Sequence, residues 1–245
     1  MLRNNDVINY GELPPENYNL DEIMVLFLID NSGSMAKHMS TVNEEINKVA
    51  EELRNDNLTA KMVEVAVMSF NDNTFLYQDF RPVTQMNKIE LTAGGGTELG
   101  KSLEEAVTLV KDRGNKLENE GLTVRTPFIF LVSDCYGGDV TSAARLVKER
   151  TDAHKLQLWT LGVGDYDKET MFKLHPDGVG LLEMRAKSED DVKKAYKEFF
   201  DKIVVASVKA VSQKGAGEKA FFDNPLKNPD TKLQVPDVDD WLRNF

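Results

Sequence analysis

Asp30-Asn31-Ser32-Gly33-Ser34 sets one carboxylate and two hydroxyls at alternate positions of a single turn. Hard oxygen donors of this kind suit Mg²⁺, which binds through few protein groups and keeps part of its water. Ser and Asp are also the favoured helix-capping residues, so the string alone is equally a cap for the next helix. Two later segments carry matching chemistry. Gly94-Gly95-Gly96-Thr97 precedes a helical pattern, and Ser133-Asp134 ends the apolar run Phe128-Ile129-Phe130-Leu131-Val132. The first motif likewise ends an apolar run, Ile23 to Ile29. Ligands of open α/β sheets gather outside the carboxyl ends of the strands, so Asp30, Ser32, Ser34, Thr97 and Asp134 are expected to converge on one point.

Asp-x-Ser-x-Ser, then Gly-Gly-Thr, then strand-Ser-Asp resembles the von Willebrand factor type A domain and its metal-ion-dependent adhesion site, over roughly residues 20 to 205. The resemblance implies that Ser32, Ser34 and Thr97 ligate Mg²⁺ or Mn²⁺, with Asp30 and Asp134 acting directly or through water. It also implies that an Asp or Glu of a partner protein completes the shell. Many members follow the last aspartate with Gly and a nearby Pro-Thr. This chain has Cys135-Tyr136-Gly137-Gly138-Asp139 instead, so its rim is unusual, and Tyr136 and Asp139 are the residues expected to shape partner binding. The string Ala93 to Gly100 looks most like intracellular bacterial members of the family. Some of those are associated with tellurite resistance and stress systems and sit beside protein kinases or phosphatases.

Competing motifs must be weighed. Gly95-Gly96-Thr97-Glu98-Leu99-Gly100-Lys101-Ser102 fits the phosphate-cradling P-loop, and the Phe128–Asp134 run would then be its magnesium-binding strand. A P-loop needs a buried strand directly before its glycines, and Arg81 to Leu91 is a poor one. That reading also leaves Asp30, Ser32 and Ser34 unused. A dinucleotide fingerprint fails because position 99 is Leu99, not glycine. His38, His154 and His175 show no metal-ligand spacing, and His38 reads as a surface helix residue. Cys135 has no histidine obviously placed to activate it and reads as a small buried thiol.

The elements that must position these groups follow from periodicity. An apolar strand over Asp21–Asp30 precedes an amphipathic helix marked by Met39, Val42, Ile46, Val49 and Leu53. Val63–Phe70 and Thr74–Phe80 read as strands joined by Asn71-Asp72-Asn73, an antiparallel hairpin at the sheet edge. Leu99, Leu103, Ala106, Val107 and Val110 mark a helix face, and Gly114 to Arg125 reads as a polar connector. The Phe128 strand, a helix around Ser142–Arg150, strand Leu156–Val163 and a short strand near Gly178–Met184 follow. Ser188 with Asp191 resembles a capping box ahead of a last helix through Ile203. This alternation predicts a doubly wound, Rossmann-like α/β fold with a mostly parallel sheet, one antiparallel edge strand and helices on both faces.

The divisions expected are an arm at 1–19, the domain at 20–207 and an extension at 208–245. The acidic and apolar residues of Asp237 to Phe245 fit a peptide that docks on a partner, one that folds back on the domain, or one that blocks the metal. A net charge of −11, with no basic run carrying interleaved aromatics, argues against nucleic-acid binding. No stretch approaches the roughly 18 apolar residues of a membrane span. The polar N-terminus and the single cysteine suggest a cytoplasmic protein. The expectation is a metal-dependent protein-binding module, not an enzyme. The alternatives are an NTPase, or a metal-dependent hydrolase built on Asp30 and Asp134.

Overall fold

The computed structural model describes residues 21–213 and 230–236. Strand β1 (Ile23–Asp30) is buried at all eight positions, as is β2 (Val63–Phe70). Alternation along β1 sends Ile23, Val25, Phe27 and Ile29 into one core and Met24, Leu26 and Leu28 into another. A strand covered on both faces needs no polar residues, which is why the run reads as continuously apolar. The remaining strands are β3 (Thr74–Pro82), β4 (Phe128–Ser133), β5 (Gln157–Gly162), β6 (Leu181–Met184) and β7 (Leu233–Gln234). They form one sheet in the order β3-β2-β1-β4-β5-β6-β7.

All neighbours are parallel except β2–β3 and β6–β7. The expected antiparallel edge is therefore present, and a second, two-residue antiparallel strand closes the opposite edge. Helix α1 (Met39–Asn55), the short α2 (Thr59–Met62) and the C-terminal run of α6 (Glu189–Phe199), a π-helical stretch (Phe200–Val205) and α7 (Ala206–Ser212) supply or join the first core. Helices α3 (Leu99–Asn119), α4 (Thr141–Asp152) and α5 (Lys168–Leu174) cover the other face.

Two expectations are corrected here. Gly114–Arg125 is not simply a connector, because α3 continues to Asn119 with Gly114 and Leu117 buried. Leu117 extends the stripe of Leu103, Ala106 and Val110, but its neighbours Lys116 and Glu118 are exposed and hide the period. His38 is not a surface residue. It is 6% exposed at the start of α1, with its ring 5.7 Å from that of Tyr196. The capping pair does form at α6, where the Asp191 amide donates to Ser188 Oγ at 3.2 Å. The Asp191 carboxylate accepts from the amide of Lys187 rather than that of Ser188. Helix α5, unanticipated, is capped by Asp167, whose carboxylate accepts from the Glu169 amide and the Thr170 hydroxyl. Residues 1–19 and the terminal stretch Asp237–Phe245 lie outside the described residues.

Candidate functional site

Because β1, β2 and β4 are parallel, Asp30 and the residues after Ser133 emerge at the same pole of the sheet. Backbone bonds then draw the glycine loop in. The Gly33 amide donates to the Gly95 carbonyl at 3.0 Å, and the Gly94 amide donates to the Asn31 carbonyl at 2.8 Å. Asn31 reinforces this, its side-chain amide donating to the Thr92 carbonyl at 2.8 Å. A Cβ on Gly137 would sit 2.6 Å from the Thr97 carbonyl oxygen and 3.2 Å from the Thr97 Cβ. Only glycine lets the loop after Asp134 lie so close to Thr97, and its φ of +108° suits no other residue. All three predicted segments meet.

Asp30 is fully buried and Asp134 only 8% exposed. Asp30 Oδ1 accepts from the Ser32 amide at 2.9 Å, and Oδ2 accepts from Ser133 Oγ at 2.6 Å. The Ser32 and Ser34 hydroxyls lie 3.0 Å apart, Ser32 buried and Ser34 open to solvent. Burial pushes the Asp30 pKa up, and repulsion from Asp134 adds to it, while hydrogen bonds from Ser133 and Ser32 pull it back. No Lys or Arg among the described residues pairs with either carboxylate. His38 feels the charge of Asp134, but burial holds its pKa below the usual imidazole range. The pole is thus a pocket of buried negative charge faced by hydroxyls. No group of three or more His, Cys, Asp or Glu suited to a metal occurs among the described residues, so any ion here would depend on the hydroxyls.

The rim holds both predicted partner residues. Tyr136 is 51% exposed, and its phenol is influenced by Asp165, Asp167 and Asp134. Asp139 is exposed, but its carboxylate accepts from the Thr141 amide and hydroxyl, which ties it to the start of α4. A small cleft beside the carboxylates is lined by Ser34, Lys37, His38, Asp134 and Asp165. Sequence reasoning missed three contributors. Ser133 orients Asp30. Asp165 lines the cleft. Asp72 sets its carboxylate against the glycine loop, where a Cβ on Gly95 or Gly96 would meet it at 2.5 Å. Asp72 was hidden inside what reads as an ordinary Asn-Asp-Asn turn. Cys135 is buried with φ +59°, and its thiol is pushed far up by desolvation, so it is no nucleophile. Lys101 is solvated beside Glu105, and no strand lies directly before the glycines, since β3 ends at Pro82.

The family model for the von Willebrand factor type A domain matches residues 25–201. This chain belongs to the von Willebrand factor type A domain family. No curated protein matches it by sequence. Among solved structures, the pilus adhesin SpaC from Lactobacillus rhamnosus GG, in its open conformation, is similar with a TM-score of 0.56 at 12% identity. The match covers 76% of this chain and 30% of SpaC. A D319A mutant of the PilB minor pilin from Streptococcus sanguinis gives 0.52 at 12% identity, covering 78% and 63%. Proximal thread matrix protein 1 from the mussel byssus gives 0.50 at 14% identity, covering 78% and 48%. The chain therefore spans less than two thirds of each of these proteins, and at such identities the likeness is one of fold. Von Willebrand factor type A domains generally serve protein interaction and adhesion. No helix among the described residues is long and apolar enough to cross a membrane.

Proposed function

We propose that this von Willebrand factor type A domain is a divalent-metal-dependent protein-binding module whose ion accepts a carboxylate from a partner. The observation that carries this is the pair of buried carboxylates, Asp30 and Asp134, without a Lys or Arg partner among the described residues and faced by serine hydroxyls. Buried charges are ordinarily paired or coordinate metals. An oxygen-only donor set with two carboxylates suits Mg²⁺ or Mn²⁺. Ser32, Ser34 and Thr97 would hold the ion, with Asp30 and Asp134 bonded directly or through water. Two carboxylates leave such an ion attractive to one more Asp or Glu. The acidic rim of Asp72, Asp139 and Asp165 repels that same partner when no ion is bound, which makes recognition depend on the metal.

Tyr136 and Asp139 shape which chain can enter. Among the described residues no activated nucleophile stands beside the site, which supports binding rather than catalysis. The free, buried Cys135 agrees with a cytoplasmic setting. The Ala93–Gly100 string supports a role in a bacterial stress or signalling complex with kinase or phosphatase associates. The test is calorimetry with Mg²⁺ and Mn²⁺ on the wild type and on Asp30→Ala with Thr97→Ala, followed by affinity capture with and without metal. Equal metal affinity in both proteins refutes the site. Capture indifferent to EDTA refutes the mechanism.

A further inference from the structure

At the opposite pole, where β1 and β4 begin, a pocket of about 210 Å³ opens between the second half of α3 and the end of α4. Its walls include Lys111, Arg125, Arg150, His154 and Lys155, an unusual gathering of cationic residue types in a chain of net charge −11. One acid, Glu118, lines it, and Asp21 nearby is paired with Arg125 at 2.7 Å. Arg150 is the telling residue. Its Nη2 donates to the Lys155 carbonyl at 3.3 Å, a bond that ties the loop after α4 to its last turn. Its Nε is buried and has no hydrogen-bond partner. A buried, charged donor left unsatisfied costs more than a neutral one and calls for a missing acceptor.

The loop that holds this donor is fixed. His154 adopts φ +55°, its amide donates to the Thr151 carbonyl, and its carbonyl accepts from the Thr126 hydroxyl at 2.9 Å. Gly114 forms part of the α3 wall, where a Cβ would already crowd Met24 at 3.2 Å. Helix-end electrostatics account for basic residues in the last turn of α4. They do not account for Lys111, two turns before the end of α3.

We infer that this pocket binds a phosphate group, held by the guanidinium of Arg150 and by the ammonium groups of Lys111 and Lys155. Several positive groups on different walls suit a compact dianion better than a planar, singly charged carboxylate. The phosphate belongs either to inorganic phosphate or to a phosphorylated side chain of another protein.

The test uses the full chain in EDTA, which removes any divalent ion at the other pole and so separates this result from that of the metal site. Inorganic phosphate, N-acetylphosphoserine amide and N-acetylserine amide are titrated by calorimetry. Both phosphate compounds should bind and the unphosphorylated one should not. Whichever phosphate compound binds more tightly identifies the source. Arg150→Gln and the exposed Lys111→Gln should each weaken binding about tenfold, while Lys101→Gln, elsewhere on α3, should not. Lys111→Gln guards against a folding defect in the arginine variant. The absence of phosphate binding up to about 10 mM overturns the inference, as does binding that survives both substitutions together.

Discussion

Asp30→Asn should make the metal-free protein more stable while destroying its response to metal. In the wild type, Asp30 is fully buried, is repelled by Asp134 and pairs with no Lys or Arg among the described residues. The effective penalty for such an ion is several kcal/mol. The amide keeps the acceptor for the Ser32 N–H. Its Nδ2 must instead donate to Ser133 Oγ, which already accepts from the Cys135 amide at 2.8 Å. The Ser133 proton then loses its acceptor, at about 1–2 kcal/mol. The net expectation in EDTA is a gain of about 1–3 kcal/mol, or roughly 2–4 °C in Tm for each kcal/mol. Because folding raises the Asp30 pKa, protonation is favoured in the native state. The gain should therefore shrink as pH falls through that raised value, where the wild type loses the same charge. Mg²⁺ at about a hundred times its Kd should raise the wild type by about 2.7 kcal/mol and leave the variant where it was. Differential scanning fluorimetry in EDTA and in Mg²⁺, at two pH values, gives all four numbers. A variant less stable than the wild type in EDTA, or one with the same Mg²⁺ shift, refutes the picture of an uncompensated carboxylate pair.

Other substitutions probe separate parts of the molecule. Gly137→Ala forces a Cβ against Thr97 at a positive φ, and should cost about 1–3 kcal/mol in urea unfolding together with weaker Mg²⁺ binding. Tyr136→Ala should leave stability within about 0.5 kcal/mol and metal affinity unchanged, but reduce metal-dependent capture of the partner. His175 is buried between the Thr160 hydroxyl and the Val179 carbonyl, and burial lowers its pKa to about 4. The unfolded state therefore binds the proton first, and stability should fall by about 3 kcal/mol as pH drops from 6.5 toward 4. Glu22 works in the opposite sense, since desolvation and Glu64 raise its pKa to about 7. Denaturant unfolding of Glu22→Gln across that range should expose the steeper histidine slope, and a flatter one would contradict both assignments.

The fold was legible because β1, β2 and β4 are covered on both faces, and continuous apolar runs are hard to mistake. Asp30 and Asp134 were legible as neighbours because each follows a parallel strand, whereas Thr97 follows none and its loop is drawn in by backbone bonds. What escaped has physical reasons. Helix α3 is longer than its apolar face suggests, since one stripe sustains it while Lys116 and Glu118 face water. Strand β7 is two residues long, and its pairing with β6 is set by tertiary contacts that no local pattern carries. His38 looked solvated because sequence does not show that Tyr196, far along the chain, covers it. Asp72 and Ser133 act through neighbours, the glycine loop and Asp30, and such indirect roles leave no mark in residue spacing.

Strand β7 pairs Leu233 with Met184 and Gln234 with Glu183, so it runs away from the pole that holds Asp30 and Asp134. Strand β1 starts at the far pole as well. The described polypeptide therefore begins and ends on one side, opposite the carboxylate pole. Tension drawn between Asp21 and Pro236 would load a central strand at one end and a two-residue edge strand at the other. In that geometry the edge peels open bond by bond, beginning with the Glu183–Gln234 pairing. The stretch from Lys232 to Pro236 is then a mechanical fuse, yielding before force reaches β6, β4 or the loops around Asp134.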